Sequence, residues 1–348
     1  MTTLSTSRSR ARPTMADVAR RAGVSLKTVS RVVNDEPGVH TGTVDRVRKA
    51  IEELNYRRND GASLLRRGAA TASIGLVVED LADPFYSAVA AGVEQTARLR
   101  GHLLLTGSGE SDPRRAHDLA LAFCARQVDG LIIVPAADDH SWLQPEVDRG
   151  TPVVFVDRPG TGCPADVVVV DNDGGIKAAV SHLANQGHRR IAFLGDDPAF
   201  WTAQRRRAAF KRSMAARRLS VRDMVAMGPH EPFALADRVR TWLELADPVT
   251  AVVAGNNRIS ATLLRVLAAM DRRDLAVVGF DDFELADLLD PPVTVVAQDP
   301  TKIGQQAASV LFARLDGDSG PPRHVVLPTR LVPRGSGEVP PWHPRENP

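Results

Sequence analysis

From Thr71 onward the chain alternates between two textures. Short unbroken apolar runs (ASIGLVV, HLLLTG, DGLIIV, TPVVFVD, ADVVVVD, RRIAFLG, VTAVVAG and LAVVGFD) have the character of strands buried on both faces of a parallel sheet. Between them lie stretches with helical apolar spacing, including Phe85–Leu99, Arg114–Arg126, Gly174–Gln186 and Arg205–Arg217. This alternation predicts a doubly wound α/β architecture. So many strands exceed one comfortable sheet, which predicts two α/β lobes with a ligand cleft between them.

Before Thr71 the pattern is helical only. Residues 1–13 are rich in Ser, Thr and Arg without periodicity and read as a disordered arm. Thr14 then opens T-M-A-D, a capping-box sequence for a helix Met15–Ala22 with Val18, Ala19 and Ala22 on one face. Gly23 supplies the left-handed backbone of a tight turn, Val24 plugs the angle, and Ser25 caps a second helix, Leu26–Asn34. Val29, Val32 and Val33 face inward on it. A third helix, Val44–Leu54, carries Val44, Val47, Ile51 and Leu54. Two short helices joined through A-G-V-S predict an all-α helix-turn-helix domain. Its second helix would present Leu26, Lys27 and Arg31 to base edges in a major groove, with Ser25, Thr28 and Ser30 placed for phosphate oxygens. The competing reading is a plain three-helix bundle with a solvated basic face.

Charge favours the first reading. The whole chain has a net charge of only +2, but residues 1–70 hold 14 Lys+Arg against 7 Asp+Glu, leaving 30 against 35 in the remainder. A basic head on a mildly acidic body suits a polyanion-binding module attached to something else. The 348 residues, 43% apolar and 25% charged, fit a soluble chain of two or three domains. No apolar run approaches a membrane span, and the N-terminal stretch lacks the apolar region of a secretory signal. Cys124 and Cys163 lack metal-ligand spacing, so a reducing cytoplasm is expected, with no metal or cofactor. Phosphate-loop, nucleophile-elbow and zinc-helix motifs do not occur. His182 and His188 are poorly spaced for a metal, and the pairs Asp196–Asp197 and Asp281–Asp282 are adjacent rather than opposed. Catalysis is not expected.

The string TMADVARRAGVSLKTVSRVVNDEPGVHTGTVDRVRKAIEELNYRRND resembles the head of the LacI/GalR family of bacterial transcriptional regulators, and later motifs extend the resemblance over residues 14–337. It implies a homodimer on double-stranded DNA, at a pseudo-palindromic operator. Leu26, Lys27 and Arg31 would be the main base readers, and Thr14 and Asn34 join the DNA-facing set. It also implies a hinge in NDGASLLRRGAA that folds on the operator. Asn59, Ala62 and Ser63 match the family pattern there, and Leu65, beside Leu64, would wedge into the minor groove. Gly61 departs from the pattern and weakens that helix by up to about 1 kcal/mol.

The core would be of the type I periplasmic-binding-protein kind. The implied layout is a DNA-binding domain at 14–57, a hinge at 58–70 and an effector-binding core at 71–332, with the tail at 333–348 and 338–348 loose. Within the core the first lobe would take about 71–180 plus 300–332, and the second about 181–299, with three crossovers between them. Ligands of such sheets sit beyond the carboxyl ends of strands. That rule selects Arg158, Asp171, Asn256, Asp281 and Gln298. Family motifs add Asp80 and Phe85, with Tyr86, from D-x-x-N-P-F-[FY], where Asp83 replaces the usual Asn. They add Thr202 and Arg206 from T-A-x-x-R-x-x-G-F, where Ala209 replaces Gly. Asn257 stands where the family usually has Asp. Phe85 and Trp201 could face a sugar ring, although Trp201 serves equally as interdomain packing and Arg206–Asp281 equally as a structural ion pair.

Donors, an amide and a carboxylate suit a polyhydroxylated effector. The expected function is therefore a cytoplasmic repressor controlled by a small polar effector, a sugar first and a nucleoside or other metabolite second. Activation, a protein co-effector and a solute-binding protein are the alternatives.

Overall fold

The computed structural model describes residues 13–56, 71–136 and 139–342. The arm at 1–12 and the hinge residues Asn59, Ala62, Ser63 and Leu65 lie outside these. Two compact units divide at Thr71.

The first unit is three helices: α1 (Met15–Ala22), α2 (Leu26–Val33) and α3 (Thr41–Leu54). Thr14 caps α1 reciprocally, accepting from the Asp17 N–H while the Asp17 carboxylate accepts from the Thr14 N–H at 2.9 Å. Gly23 has φ +64°, a conformation that closes the helix without a Cβ penalty. Val18, Val29 and Val47, one from each helix and none exposed, meet at the centre. The third helix begins three residues earlier than its apolar pattern predicts, because His40 caps it.

The second unit contains two six-stranded sheets. The first comprises β1 (Ser73–Val78), β2 (Leu103–Ser108), β3 (Gly130–Ile133), β4 (Val153–Val156), β5 (Asp166–Val170) and β11 (His324–Leu327), in the order β11-β5-β4-β3-β1-β2. The second comprises β6 (Ile191–Gly195), β7 (Val225–Met227), β8 (Ala251–Ala254), β9 (Ala276–Phe280), β10 (Thr294–Ala297) and β12 (Arg330–Val332), in the order β12-β10-β9-β8-β6-β7. Pairing is parallel throughout except for β12 against β10. The two orders correspond strand for strand, so the lobes are topological repeats.

Side chains of β1 alternate between two cores. Ile74, Leu76 and Val78 enter one, and Val77 enters the other. Burial on both faces explains the unbroken apolar runs. On one face of the first sheet, α4 (Pro84–Leu99) packs on α11 (Pro300–Leu315) at backbone contact. A Cβ on Gly92 would lie 2.0 Å from the Thr301 carbonyl oxygen, and one on Gly304 would lie 2.0 Å from that of Val89.

Three crossings join the lobes, but two boundaries differ from those expected. Helix α7 (Asn172–Asn185) buries Ile176, Ala179, Val180 and Leu183 in the second lobe's core, so the first crossing falls at Asp171 and not near 180. Strand β12 pairs in the second sheet, so 330–332 leave the first lobe. The segment after β12 is not loose as far as Trp342. Ser336 donates to the Val277 carbonyl at 2.6 Å and accepts from the Thr294 N–H at 2.9 Å, while Val339 accepts from the buried His188 ring at 2.9 Å. Among the described residues no helix is long and apolar enough to cross a membrane.

Candidate functional site

In the first unit, an α-helix turns about 100° per residue, which sets Leu26, Lys27, Ser30, Arg31 and Asn34 on one arc of α2, away from buried Val29 and Val32. Ser25 caps the helix, and its hydroxyl is 2.8 Å from that of Thr28. Thr14 likewise holds its hydroxyl in the α1 cap. Leu26, at the start of α2, is 51% exposed, an apolar side chain left in water. Arg20, Arg21 and Arg48 are paired with Asp17, Glu53 and Asp35. Among the described residues Lys27 and Arg31 have no such ion pair, so their charge faces outward.

In the second unit the two sheets direct their carboxyl ends at one another across a cavity of about 60 Å³. Lobe one contributes Glu79, Asp83, Phe85, Tyr86, Asp157 and Arg158, and lobe two contributes Asp196, Phe200, Thr202, Arg206, Asn256, Asn257, Arg258, Asp281 and Gln298. Asp157 after β4 and Asp281 after β9 are equivalent positions of the repeat. Both hold left-handed backbone, at φ 70° and 71°. Each N–H donates at 2.9 Å to the neighbouring strand, to the carbonyls of Val168 and Val296. Such backbone costs a non-glycine residue roughly 1 kcal/mol or more and serves to turn the carboxylate off the strand end.

Arg158 is buried beneath this wall. Its guanidinium pairs with Glu79 and Asp157, donates to the Tyr86 hydroxyl at 2.9 Å and lies 4.7 Å from the Phe200 ring centre. Arg206 donates to the Asn172 amide oxygen at 2.7 Å and the Gly255 carbonyl at 2.6 Å, stands 3.7 Å from Asp281 and covers the Phe280 ring. Burial pushes the Asp281 carboxyl up to about 6; Arg206 and the Gln298 amide oppose this, and the carboxylates of Asp157 and Asp83 add to it. Gln298 donates to Asp281, and its own side-chain oxygen is buried with no hydrogen-bond partner among the described residues. Asn256 caps α10 (Asn257–Ala269) and donates to Asp196 at 2.6 Å. Besides the Arg158–Phe200 contact, polar pairs bridge the lobes: Asn257 donates to Asp83 at 2.9 Å, and Arg258 pairs with Asp80 at 3.1 Å.

The structure therefore brings together seven of the ten residues named for the cleft: Phe85, Arg158, Thr202, Arg206, Asn256, Asp281 and Gln298. Asp80 bridges the lobes through Arg258 and does not line the cavity. Asp171 caps α7 by accepting from the Gly174 N–H at 2.8 Å, as its repeat equivalent Asp299 caps α11 through Lys302. Trp201 packs on the first lobe's core with Arg205 over its ring, and the neighbouring Phe200 is the aromatic that reaches the cavity. One residue separates these two roles, because Phe200 precedes α8 (Trp201–Ala216) and Trp201 is on it. Sequence reasoning missed Glu79, Asp157, Asp196 and Arg258 as well. The three acids each lie one position past a strand end, the zone already searched, and Glu79 and Asp157 adjoin the residues chosen there, Asp80 and Arg158. The Arg206–Asp281 pair is at once an ion pair and part of the cavity wall.

A helix-turn-helix unit and a two-lobed polar cleft on one chain define a DNA-binding regulator with a periplasmic-binding-protein-like core. Residues 14–59 match the lacI family of bacterial regulatory proteins, and residues 180–337 match the periplasmic binding protein-like domain. The chain is 33% identical to the HTH-type transcriptional regulator CelR of Thermobifida fusca, over 94% of this chain and 99% of that one. The structure of the lac repressor dimer bound to operator and the anti-inducer ONPF aligns with a TM-score of 0.80, at 25% identity, over 94% of this chain and 99% of that one. That of a CelR–cellobiose complex aligns at 0.67, with 31% identity, over 93% and 100%. The chain belongs to the lacI family and is a transcription regulator.

Proposed function

We propose that this chain is a cytoplasmic repressor, acting as a homodimer on a pseudo-palindromic operator and controlled by a sugar held between its lobes. The observation that carries the reading is the arc of Leu26, Lys27, Ser30, Arg31 and Asn34 on α2, whose two cations have no carboxylate partner among the described residues. Lys27 and Arg31 read base edges, Leu26 meets thymine methyls, and Ser25, Thr28 and Ser30 lie at the phosphates. Thr14 and Asn34 flank that surface. The lac repressor and CelR structures support the operator, the dimer and a saccharide ligand by analogy.

The cleft supplies the control. About 60 Å³ is less than the roughly 300–1,000 Å³ of ordinary ligand sites, so a sugar enters only as the lobes part. Parting breaks Asn257–Asp83 and Arg258–Asp80. A ligand thus binds the two lobe arrangements unequally, and that difference is what it can spend on DNA affinity.

The test is selection of bound genomic fragments, followed by competition against random duplex. An inverted repeat should emerge, and Arg31→Ala should lose about 1–3 kcal/mol on it while leaving random DNA unaffected. Equal loss on both would make Arg31 a phosphate contact, and a monomer without sequence preference would end the proposal.

A further inference from the structure

The cleft's wall is more acidic than basic. Five carboxylates line it, those of Glu79, Asp83, Asp157, Asp196 and Asp281, against three guanidiniums. Two of the three, Arg158 and Arg206, are committed within their own lobes, and the third, Arg258, is released by parting of the lobes only together with a sixth carboxylate, Asp80. Arg158 is held by Glu79 and Asp157, Arg206 stands beside Asp281, and Arg258 is paired with Asp80. Two of them also have a face on an aromatic ring, Phe200 and Phe280.

We propose that the cleft takes an uncharged polyhydroxylated ligand and excludes the acid and phosphate-ester forms of the same sugar. This rests on the reading above that the cleft binds a sugar. The donor and acceptor balance points the same way as the charge. Gln298 offers a buried side-chain oxygen with no partner among the described residues, and Asp281 beside it is an acceptor too. Both need O–H or N–H donors, which a neutral sugar offers at each hydroxyl, whereas an ionised carboxylate or phosphate replaces one of those donors with acceptors alone. An anion would also add a negative charge within a few ångströms of carboxylates in a water-poor site, where repulsion is weakly screened. Asp281 already registers that field: besides burial, Asp157 and Asp83 oppose its ionisation.

The experiment is a thermal-shift and calorimetric screen of the full-length protein. The library holds each sugar as the neutral compound, the uronic acid and the phosphate ester. The expected result is at least one neutral sugar that binds and releases operator, with its acid and phosphate forms at least tenfold weaker. Asp196→Asn, which keeps a hydrogen-bonding side chain opposite Asn256, should narrow that gap for the acid form. An acid or phosphate that binds as tightly as its neutral parent overturns the proposal and leaves the sugar-binding reading standing. If no member binds and none alters operator affinity, the sugar-binding reading itself fails, and the charge rule with it.

Discussion

Asp281 gives the sharpest test of the cleft's electrostatics. Its carboxyl titrates at about 6 in the folded chain against an ordinary value of 3.8, a rise of about two pH units. At roughly 1.4 kcal/mol per unit, ionising Asp281 costs the folded state about 3 kcal/mol more than the unfolded one. The sign follows from proton binding. Between pH 4 and 6 the folded protein holds a proton that the unfolded chain has released, so stability falls as pH rises through that window and is level above it. Asp281→Asn removes the titration and keeps an oxygen for the Gln298 amide. The stability of the parent minus that of Asp281→Asn should therefore drop by about 2 kcal/mol between pH 4 and pH 7, the rest of the change lying below pH 4. Groups common to both proteins cancel in that difference. Urea unfolding followed by tryptophan fluorescence reports on the right unit, since Trp142, Trp201, Trp242 and Trp342 all lie beyond Thr71. A difference that stays level across the window, or rises with pH, refutes the account of this carboxyl.

Three further substitutions probe the framework. Gly92→Ala drives a methyl into the Thr301 carbonyl and should lower stability by about 3 kcal/mol or more in a melt; a neutral effect would mean that α4 and α11 do not touch at the backbone. Ser336→Ala strips partners from both the Val277 carbonyl and the Thr294 N–H and should cost about 2 kcal/mol, whereas a truly loose tail would show no change. Asn257→Asp should weaken lobe closure by setting a carboxylate against Asp83, and adding Asp83→Asn should restore it. A coupling of about 1 kcal/mol or more in the thermodynamic cycle is expected, and strict additivity would dismiss the bridge.

Much of the fold was legible because burial writes itself into composition. Strands covered on both faces must be apolar throughout, and every run named from the sequence is a strand. β10 escaped although it is buried, because its run of four residues is short; β7, β11 and β12 escaped for want of burial. They are edge strands only partly buried, with mixed residues such as Val-Ala-Met and Arg-Leu-Val. Lobe membership was harder still. The α7 sequence is equally amphipathic whichever sheet it covers, so the crossing at Asp171 is decided by long-range packing of Ile176 and Leu183 and not by local pattern. The same limit separates Phe200 from Trp201. Both aromatics precede the motif residue Thr202, and only the start of the helix at Trp201 decides which one reaches the cavity.

The two departures at Asp83 and Asn257 carry the opposite lesson. Taken singly, each reads as a lapse from the family pattern. Across the cleft the two positions are one pair, Asn257 donating to Asp83 at 2.9 Å, and the motif that the sequence resembles places the amide in the first lobe and the acid in the second. Either arrangement sets the carboxylate at a helix start, where the macrodipole favours it. Asp83 caps α4 by accepting from the Phe85 N–H at 2.9 Å, and position 257 opens α10. Exchanging the partners therefore preserves closure while transferring one negative charge to the lobe that already holds Glu79 and Asp157. A residue-by-residue reading of motifs scores two mismatches at these positions, where the structure holds one hydrogen-bonded pair across the cleft.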